Sequence, residues 1–460
     1  MTLPPQPISP LDGRYRPAVQ ALGDHLSEAG LNRARVLVEI DWLIYLTDHG
    51  MFGTTPLTQE QQRSLRSLVD GFDQASIDEL ASLEATTRHD VKAVEYFIRR
   101  RLDELGLTSI AELTHFACTS EDINNLSYAL TIRSAVSSVW LPAFDAVIAE
   151  LTRQAELYRD APMLAHTHGQ PATPTTMGKE LAVFVHRLQR VRAQIVATEY
   201  LGKFSGATAT FAAHLAADPD ADWQAISNEF VTSLGLTWNP LTTQIESHDW
   251  QAELYARISH ANRILHNLCT DVWTYISMGY FTQIPVEGAT GSSTMPHKVN
   301  PIRFENAEAN LELSSALLDS LASTLVTSRL QRDLTDSSAQ RNIGVALGHS
   351  VLALDNIRGG LGQISLNTAA LEADLDSNWE VLGEAIQTVV RAEVTEGRSS
   401  IADPYALLKE LTRGRRVGAA EMAEFIRGLD IGDAAKERLL ALTPARYVGL
   451  ASQLVDHLAD

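Results

Sequence analysis

A chain of 460 residues has room for roughly two to four domains and a large apolar core. Its composition, 45% hydrophobic and 20% charged, is that of an ordinary soluble protein, and its two cysteines, Cys118 and Cys269, are too few for a disulfide framework or a cysteine zinc site. The net charge of −20 argues against a general nucleic-acid or membrane surface, so an anionic ligand needs a locally basic pocket.

Residues 1–18 read as an extended arm, with prolines at 4, 5, 7 and 10. It opens without the basic-then-apolar pattern of a targeting segment, and no apolar run along the chain approaches the ~20 residues of a membrane span. With so little cysteine, the expectation is a cytoplasmic protein. The arm ends in Ser9-Pro10-Leu11-Asp12-Gly13-Arg14-Tyr15, which reads as a turn. Residues 19–105 alternate helical patterns with short polar breaks, and Leu37, Ile40, Leu43 and Ile44 keep helical spacing. Thr86-Thr87-Arg88-His89-Asp90 precedes a helix with Val91, Val94, Phe97 and Ile98 on one face. There His89 and Asp90 are an orienting pair or a helix cap, and spacing alone favours a cap made by the aspartate. In His115-Phe116-Ala117-Cys118-Thr119-Ser120-Glu121-Asp122, the hydroxyls and acids read as a helix start. Such a start presents N–H groups that suit a carboxylate or a phosphate.

Long helices then dominate. Apolar residues recur at steps of three and four over residues 126–159, 178–200, 252–279 and 304–326, with Pro142 marking a kink in the first. No β-branched alternating run lies between them, so the core is expected to be helical. The apolar outer faces of such a bundle point to oligomerisation. Between the helices lies His166-Thr167-His168-Gly169-Gln170-Pro171, read as a turn before a helix; its two histidines lack a third ligand at metal spacing. Gln244 reads as a surface amide ahead of the 252–279 helix.

From Gly288 to Pro301 two glycines loosen the backbone and two prolines restrict it, which predicts a shaped loop dense in polar groups. Beyond it, Arg329-Leu330-Gln331-Arg332-Asp333-Leu334-Thr335-Asp336-Ser337 and Arg341 interleave basic and acidic residues. That pattern is a self-paired solvated face or, with Ser337, a phosphate clamp. After Gly359-Gly360 a smaller helical domain is expected, with Trp379, Leu382 and Ile386 on one helix face and Met422, Phe425 and Ile426 on another. Its basic stretch Leu411–Arg416 reads as a solvated corner. The expected organisation is all-α in three parts: 1–112, 113–360 with the long bundle, and 361–460.

The run Gly291-Ser292-Ser293-Thr294-Met295-Pro296-His297-Lys298-Val299-Asn300-Pro301 resembles the signature loop of the fumarase/aspartase lyase superfamily. His297 after Met-Pro, together with Gln331-Arg332-Asp333-Leu334-Thr335-Asp336-Ser337, is similar to its adenylosuccinate lyase branch, and the likeness covers most of the chain. The resemblance implies β-elimination of fumarate from adenylosuccinate, or from the succinylated aminoimidazole carboxamide ribotide of purine synthesis, with no cofactor or metal. It implies Ser292 as base and His168 as acid, although nothing in the residues themselves selects Ser292 over Ser293. Substrate binding falls by the same likeness to Arg14, Tyr15, Arg88, His89, Asp90, Thr119, Ser120 and Gln244. It falls also to Ser293, Lys298, Asn300, Asn306, Arg332, Ser337 and Arg341. Relatives are homotetramers that share each site among subunits. The loop alone does not separate this branch from fumarase, aspartase or argininosuccinate lyase, nor from a silent helical scaffold. Arg14-Tyr15, Thr87-Arg88-His89-Asp90 and the Arg332–Arg341 segment, which suit a nucleotide monophosphate, are the discriminators.

Overall fold

The computed structural model describes residues 6–285, 295, 298–406, 409 and 417–458. Helices dominate. In α1 (Glu28–Asp48) the Ser27 hydroxyl caps the start by accepting from the Gly30 N–H at 3.0 Å. The helix is buried over most of its length, with Val36, Val38, Ile40, Trp42 and Leu43 fully buried, as expected of a helix inside a bundle. Arg35 and Glu39, one turn apart, are buried with them. Next come α2 (Asp90–Glu104) and α3 (Ser120–Ala135).

The single helix expected over residues 126–159 is in fact two, α3 and α4 (Leu141–Leu157), joined by a π turn at Val136–Trp140. Across that turn the Leu141 N–H donates back to Val136 O. Pro142 gives the reason: it has no N–H to donate and its ring crowds the carbonyl four residues earlier, so the helix widens just before it. The continuous stretch Ser120–Leu157 is also long and apolar enough to cross a membrane by length and composition, which the sequence reading missed. Its first turn nevertheless carries Glu121 and Asp122, both buried, and Asp122 is ion-paired with Lys203.

The other long helices fall where the periodicity placed them, to within about a turn. They are α5 (Met177–Val196), α6 (Asp249–Ser277) and α7 (Ile302–Leu325). At about 1.5 Å per residue the 29 residues of α6 span roughly 44 Å. A short α8 (Thr335–Gln340) precedes α9 (Ile343–Leu361). The strands are few and short. An antiparallel hairpin pairs β1 (Pro162–Thr167) with β2 (Gln170–Thr176), β3 (Leu201–Gly202) runs parallel to β4 (Thr237–Trp238), and β5 (Phe281–Gln283) pairs with β6 (Ile364–Leu366).

The chain divides into two compact units, one of Met1–Phe144, Val191–Arg263 and Ala309–Asp355, the other of Asp145–Arg190, Ile264–Glu308 and Asn356–Asp460. Every division falls inside α4, α5, α6, α7 or α9. In the first unit, Trp42 packs against Phe204 and Phe230. A buried polar chain also runs through it: Trp140 Nε1 donates to Ser350 Oγ (2.8 Å), Ser350 Oγ to Asn262 Oδ1 (2.8 Å), and Asn262 Nδ2 to Ser314 Oγ (3.0 Å). Each polar atom that loses water there gains a partner, which fixes the register of α6, α7 and α9. The arm is not extended in its described part. Turns at Ser9–Tyr15 lead into a helical turn at Arg16–Val19, and Leu11 is buried with Val19 and Leu352. Proline and Asp-Gly turn chemistry, with an apolar anchor at Leu11, outweighs the extended bias.

In the second unit the C-terminal residues build a small core. Leu382, at the end of a 3-10 turn (Trp379–Leu382), and Ile386 and Val390 of α10 (Gly383–Thr395) pack with Met422 and Ile426 of α11 (Ala419–Gly428) and with Leu439 of α12 (Asp433–Leu440). The expected faces are present, with Trp379 and Phe425 partly buried at the edge. Leu411–Arg416 lie outside the described residues.

Candidate active site

One buried network in the first unit joins several of the candidate residues. The helix before α2 stops at Arg88, whose φ of 54° is left-handed and whose N–H returns to Glu84 O at 2.7 Å. His89 Nδ1 then caps α2 by accepting from the Lys92 N–H at 3.2 Å. So the cap is the histidine rather than the aspartate. Asp90 is claimed elsewhere: it accepts from Arg35 Nη2 at 2.8 Å and lies 3.6 Å from Arg341 Nη2. Burial alone would raise its pKa, but Arg35, the Val91 N–H and Arg341 outweigh burial and hold it below the usual range. The side chains of Arg88 and His89 are exposed.

From Asp90 the network continues inward. Arg35 Nε donates to Asn124 Oδ1 (2.9 Å), and Asn124 Nδ2 donates to Glu121 Oε1 (2.8 Å). That same oxygen sits 2.6 Å from Arg332 Nη1, a charge pair without an aligned hydrogen bond. Arg332 Nη2 lies 3.8 Å from Asp336, whose other oxygen is 3.7 Å from His248 Nε2. His248 donates from Nδ1 to Glu246 O at 2.7 Å, which leaves Nε2 as the acceptor facing Gln340 Nε2 at 3.3 Å. Burial, reinforced by Arg332, drops the His248 pKa to about 4, so this imidazole is neutral. Burial and then Glu121 raise the pKa of Asp336.

The basic-acidic run after α7 therefore splits. Arg329 pairs locally with Asp333 at 3.3 Å and is exposed, the self-paired arrangement. Arg332 turns inward to Glu121, whereas Arg341 stays exposed and reaches two acids from distant segments, Glu28 at 2.5 Å and Asp90 at 3.6 Å. Ser337, half-buried, donates its N–H to Asp336 Oδ1 at 2.6 Å. Arg341 borders a cleft of about 530 Å³ together with Arg16, Gln20, Asp24 and Ser27. Arg14 does not line that cleft; its guanidinium lies 6.0 Å from the Tyr15 ring, which packs on Leu11, Val19 and Leu352.

Thr119 precedes the first residue of α3, Ser120, and its N–H donates to Asp122 Oδ2 at 2.8 Å. The preceding turn contains two left-handed residues, His115 (φ 58°) and Ala117 (φ 58°). His115 Nδ1 is 2.5 Å from Glu39 Oε1, and Nε2 is 3.9 Å from Glu95. Burial would lower the His115 pKa, but Glu39, Glu95 and Asp122 outweigh it and raise it. Gln244 is not a surface amide: it is half-buried and donates to Ala207 O at 2.9 Å.

The second unit holds the remaining described candidates. His168 and Gly169 form the two-residue turn of the β1–β2 hairpin, with φ of 53° and 71°. Positive φ at both positions is what a tight hairpin turn demands, and it leaves the imidazole exposed at the tip. The expected turn before α5 is thus a hairpin, because the prolines of β2 obscure its alternation. Lys298 is exposed and its N–H donates to Met295 O at 3.0 Å. Asn300 is half-buried, and Asn306 Oδ1 accepts from Asn356 at 3.0 Å. Ser292, Ser293 and His297 lie outside the described residues. Among the described residues no group of three or more His, Cys, Asp or Glu is placed to hold a metal ion.

The sequence reading gave no role to Arg35, Glu39, Asn124, Lys203 or His248. For Arg35, Glu39 and Lys203 a signal was there: single charges set within apolar stretches, which fold inward only with a partner. His248 and Asn124 carry no such mark.

Comparison with known proteins bears on all of this. A family model described as lyase matches residues 13–312, and one described as adenylosuccinate lyase C-terminal matches residues 328–448. Adenylosuccinate lyase of Escherichia coli (strain K12) is 48% identical over 453 residues, covering 98% of each chain. That of Haemophilus influenzae is 47% identical over 454 residues, again covering 98% of each. Among solved structures, a fumarate lyase from Mesorhizobium sp. BNC1 superposes with a TM-score of 0.74 at 17% identity, covering 95% of this chain and 97% of that one. A 3-carboxy-cis,cis-muconate lactonizing enzyme from Pseudomonas putida gives 0.73 at 19%, covering 95% and 96%. At such identities these two speak for the fold, which is the expected all-helical one.

Proposed function

This chain belongs to the adenylosuccinate lyase family, and we propose that it releases fumarate from adenylosuccinate, leaving AMP, by β-elimination of a C–N bond. The succinylated aminoimidazole carboxamide ribotide is the second substrate of the same chemistry. One observation of geometry carries the nucleotide side of the reading. Arg332, mostly buried, and Arg341, exposed beside a cleft, stand at the two ends of a continuous network, with Ser337 between them in sequence, in a protein of net charge −20. Basic groups so placed suit a dianionic phosphate. By likeness to relatives, Arg14 and Tyr15 are assigned to the same phosphate and Arg88, His89 and Asp90 to the pocket edge. Thr119, Ser120 and Gln244 take the succinyl carboxylates and the neighbouring amide contacts.

The reaction then needs a base, an acid and a place for charge. Ser292 removes the proton from the carbon beside a carboxylate, with Ser293 binding. The electron pair spreads into that carboxylate, where Lys298 and Asn300 stabilise it, and Asn306 binds substrate. The C–N bond breaks, the pair moves to nitrogen, and His168 protonates the departing amine. A serine acts as base only when desolvated near positive charge, so the signature loop closes over substrate. No resident cofactor takes part. The working form is a cytoplasmic homotetramer in purine synthesis, with each site assembled from several subunits; its long helices form the shared core, and the three-part division at 112 and 360 describes each chain. Absorbance assays with adenylosuccinate, malate, aspartate and argininosuccinate test the substrate. Turnover of malate without turnover of adenylosuccinate refutes it.

A further inference from the structure

Asp122 and Lys203 are wholly buried, 2.8 Å apart, and too deep to touch any ligand. The carboxylate does more than neutralise the lysine. Its Oδ2 accepts from Thr119 N–H (2.8 Å), its Oδ1 from Ser205 N–H (2.8 Å), and the Gly206 N–H reaches both oxygens at 3.1 and 3.3 Å. Lys203 Nζ returns to Gly206 O at 3.1 Å. Asn125, one helical turn after Glu121, grips the Lys203 backbone from both sides, accepting its N–H at 2.8 Å and donating to its carbonyl at 2.9 Å. Gly206 has φ of 84°, which strains any other residue, and a Cβ there would press the His214 ring at 3.3 Å. The next residue, Ala207, is the one whose carbonyl holds Gln244.

We propose that Asp122, charge-balanced by Lys203, is a positioning residue that sets the start of α3 against the 203–207 segment, and so fixes Thr119 and Ser120 relative to Gln244. This rests on the substrate assignment above. A carboxylate is required because two acceptor oxygens serve donors from two segments at once; an asparagine offers one acceptor oxygen and turns an N–H₂ toward an N–H. A displacement of about 1 Å in a binding group is enough to cost a large factor in rate. The ion pairs of Arg332 with Glu121 and of Arg341 with Asp90 do not include this carboxylate.

The test is the double variant Asp122→Asn/Lys203→Met in the full-length chain, which leaves no unbalanced buried charge. Product inhibition is measured separately with fumarate and with AMP, beside thermal melting. The expected result is a fumarate inhibition constant raised at least tenfold, an AMP constant within twofold of wild type, and melting within a few degrees. Unchanged fumarate binding, or equal loss of both products, overturns the positioning role. Should the double variant not fold, Asn125→Ala carries the test, since it loosens the same segment and leaves the ion pair intact. A selective threefold or greater loss of fumarate supports the proposal, and any other pattern overturns it. Wild-type protein that turns over adenylosuccinate beside a variant with normal fumarate binding refutes only this role, whereas wild type that releases no fumarate refutes the function and this role with it.

Discussion

Replacing Arg332 with methionine separates what this arginine does for the fold from what it does for a ligand. Arg332 Nη1 lies 2.6 Å from Glu121, and both are mostly buried, at 19% and 5% side-chain exposure. Removing the cation leaves Glu121 and Asp336 facing each other's charge without relief. Breaking a buried pair costs about 3–5 kcal/mol, and here the lower end applies because Asn124 still donates to Glu121. A charge-assisted bond to a phosphate is worth roughly 1.5–3 kcal/mol, so kcat/KM for adenylosuccinate should fall about 10- to 150-fold. The two losses come apart in Arg332→Met/Glu121→Gln. Neutralising the stranded carboxylate restores most of the melting temperature, yet no cation returns to the phosphate. The assay is steady-state kinetics beside thermal melting for both variants. If the double variant recovers kcat/KM along with stability, or if Arg332→Met keeps kcat/KM within threefold, the phosphate role is wrong.

Ser292→Ala and His168→Ala should each lose most turnover, by a hundredfold or more, with the assembled state intact by sedimentation; near-normal rates in either variant remove that residue from the proton transfers. Lys298→Met should lower kcat rather than raise KM alone, because its charge is needed where negative charge develops, and an unchanged kcat dismisses it. The raised pKa of His115 gives a pH prediction with a definite sign. A histidine whose folded pKa lies above 6.5 adds stability that is fully present below pH 6.5 and is lost as pH climbs through the folded value. Melting temperatures should therefore fall over that interval more steeply in wild type than in His115→Gln, and parallel curves would show that the Glu39 and Glu95 contacts do not hold the charged form.

How far the fold could be read beforehand depended on what each element answers to. Helices α5, α6 and α7 answer to their own periodicity, and they were legible. The hairpin at His168 was not, because prolines at 171 and 174 hide the alternation of β2, and the sign of φ at the turn is not written in residue types other than Gly169. The cap of α2 was assigned to Asp90 on local preference, but Arg35, 55 residues earlier, competes for that carboxylate and leaves the cap to His89. The same holds for the three arginines after α7. Local pattern makes all three look alike, and only the partners separate them: Arg332 turns in to Glu121, Arg341 reaches Glu28 and Asp90 at the surface, and Arg329 stays with Asp333.

That pairing with distant acids also explains how an acidic protein keeps cations ready for an anionic ligand. An unpaired buried arginine would be costly, and a solvated one would be free to wander. Glu121 engages only one end of the Arg332 fork, and Asp336 at 3.8 Å is beyond hydrogen-bond length, so the guanidinium is aimed without being saturated. Arg341 is held in the same way between Glu28 and Asp90. A phosphate arriving there need not reorganise the side chains, only compete with carboxylates that carry a single charge each. The network that joins the two arginines through Arg35 and Asn124 keeps them at a fixed separation, which makes their spacing a property of the fold and not of the ligand.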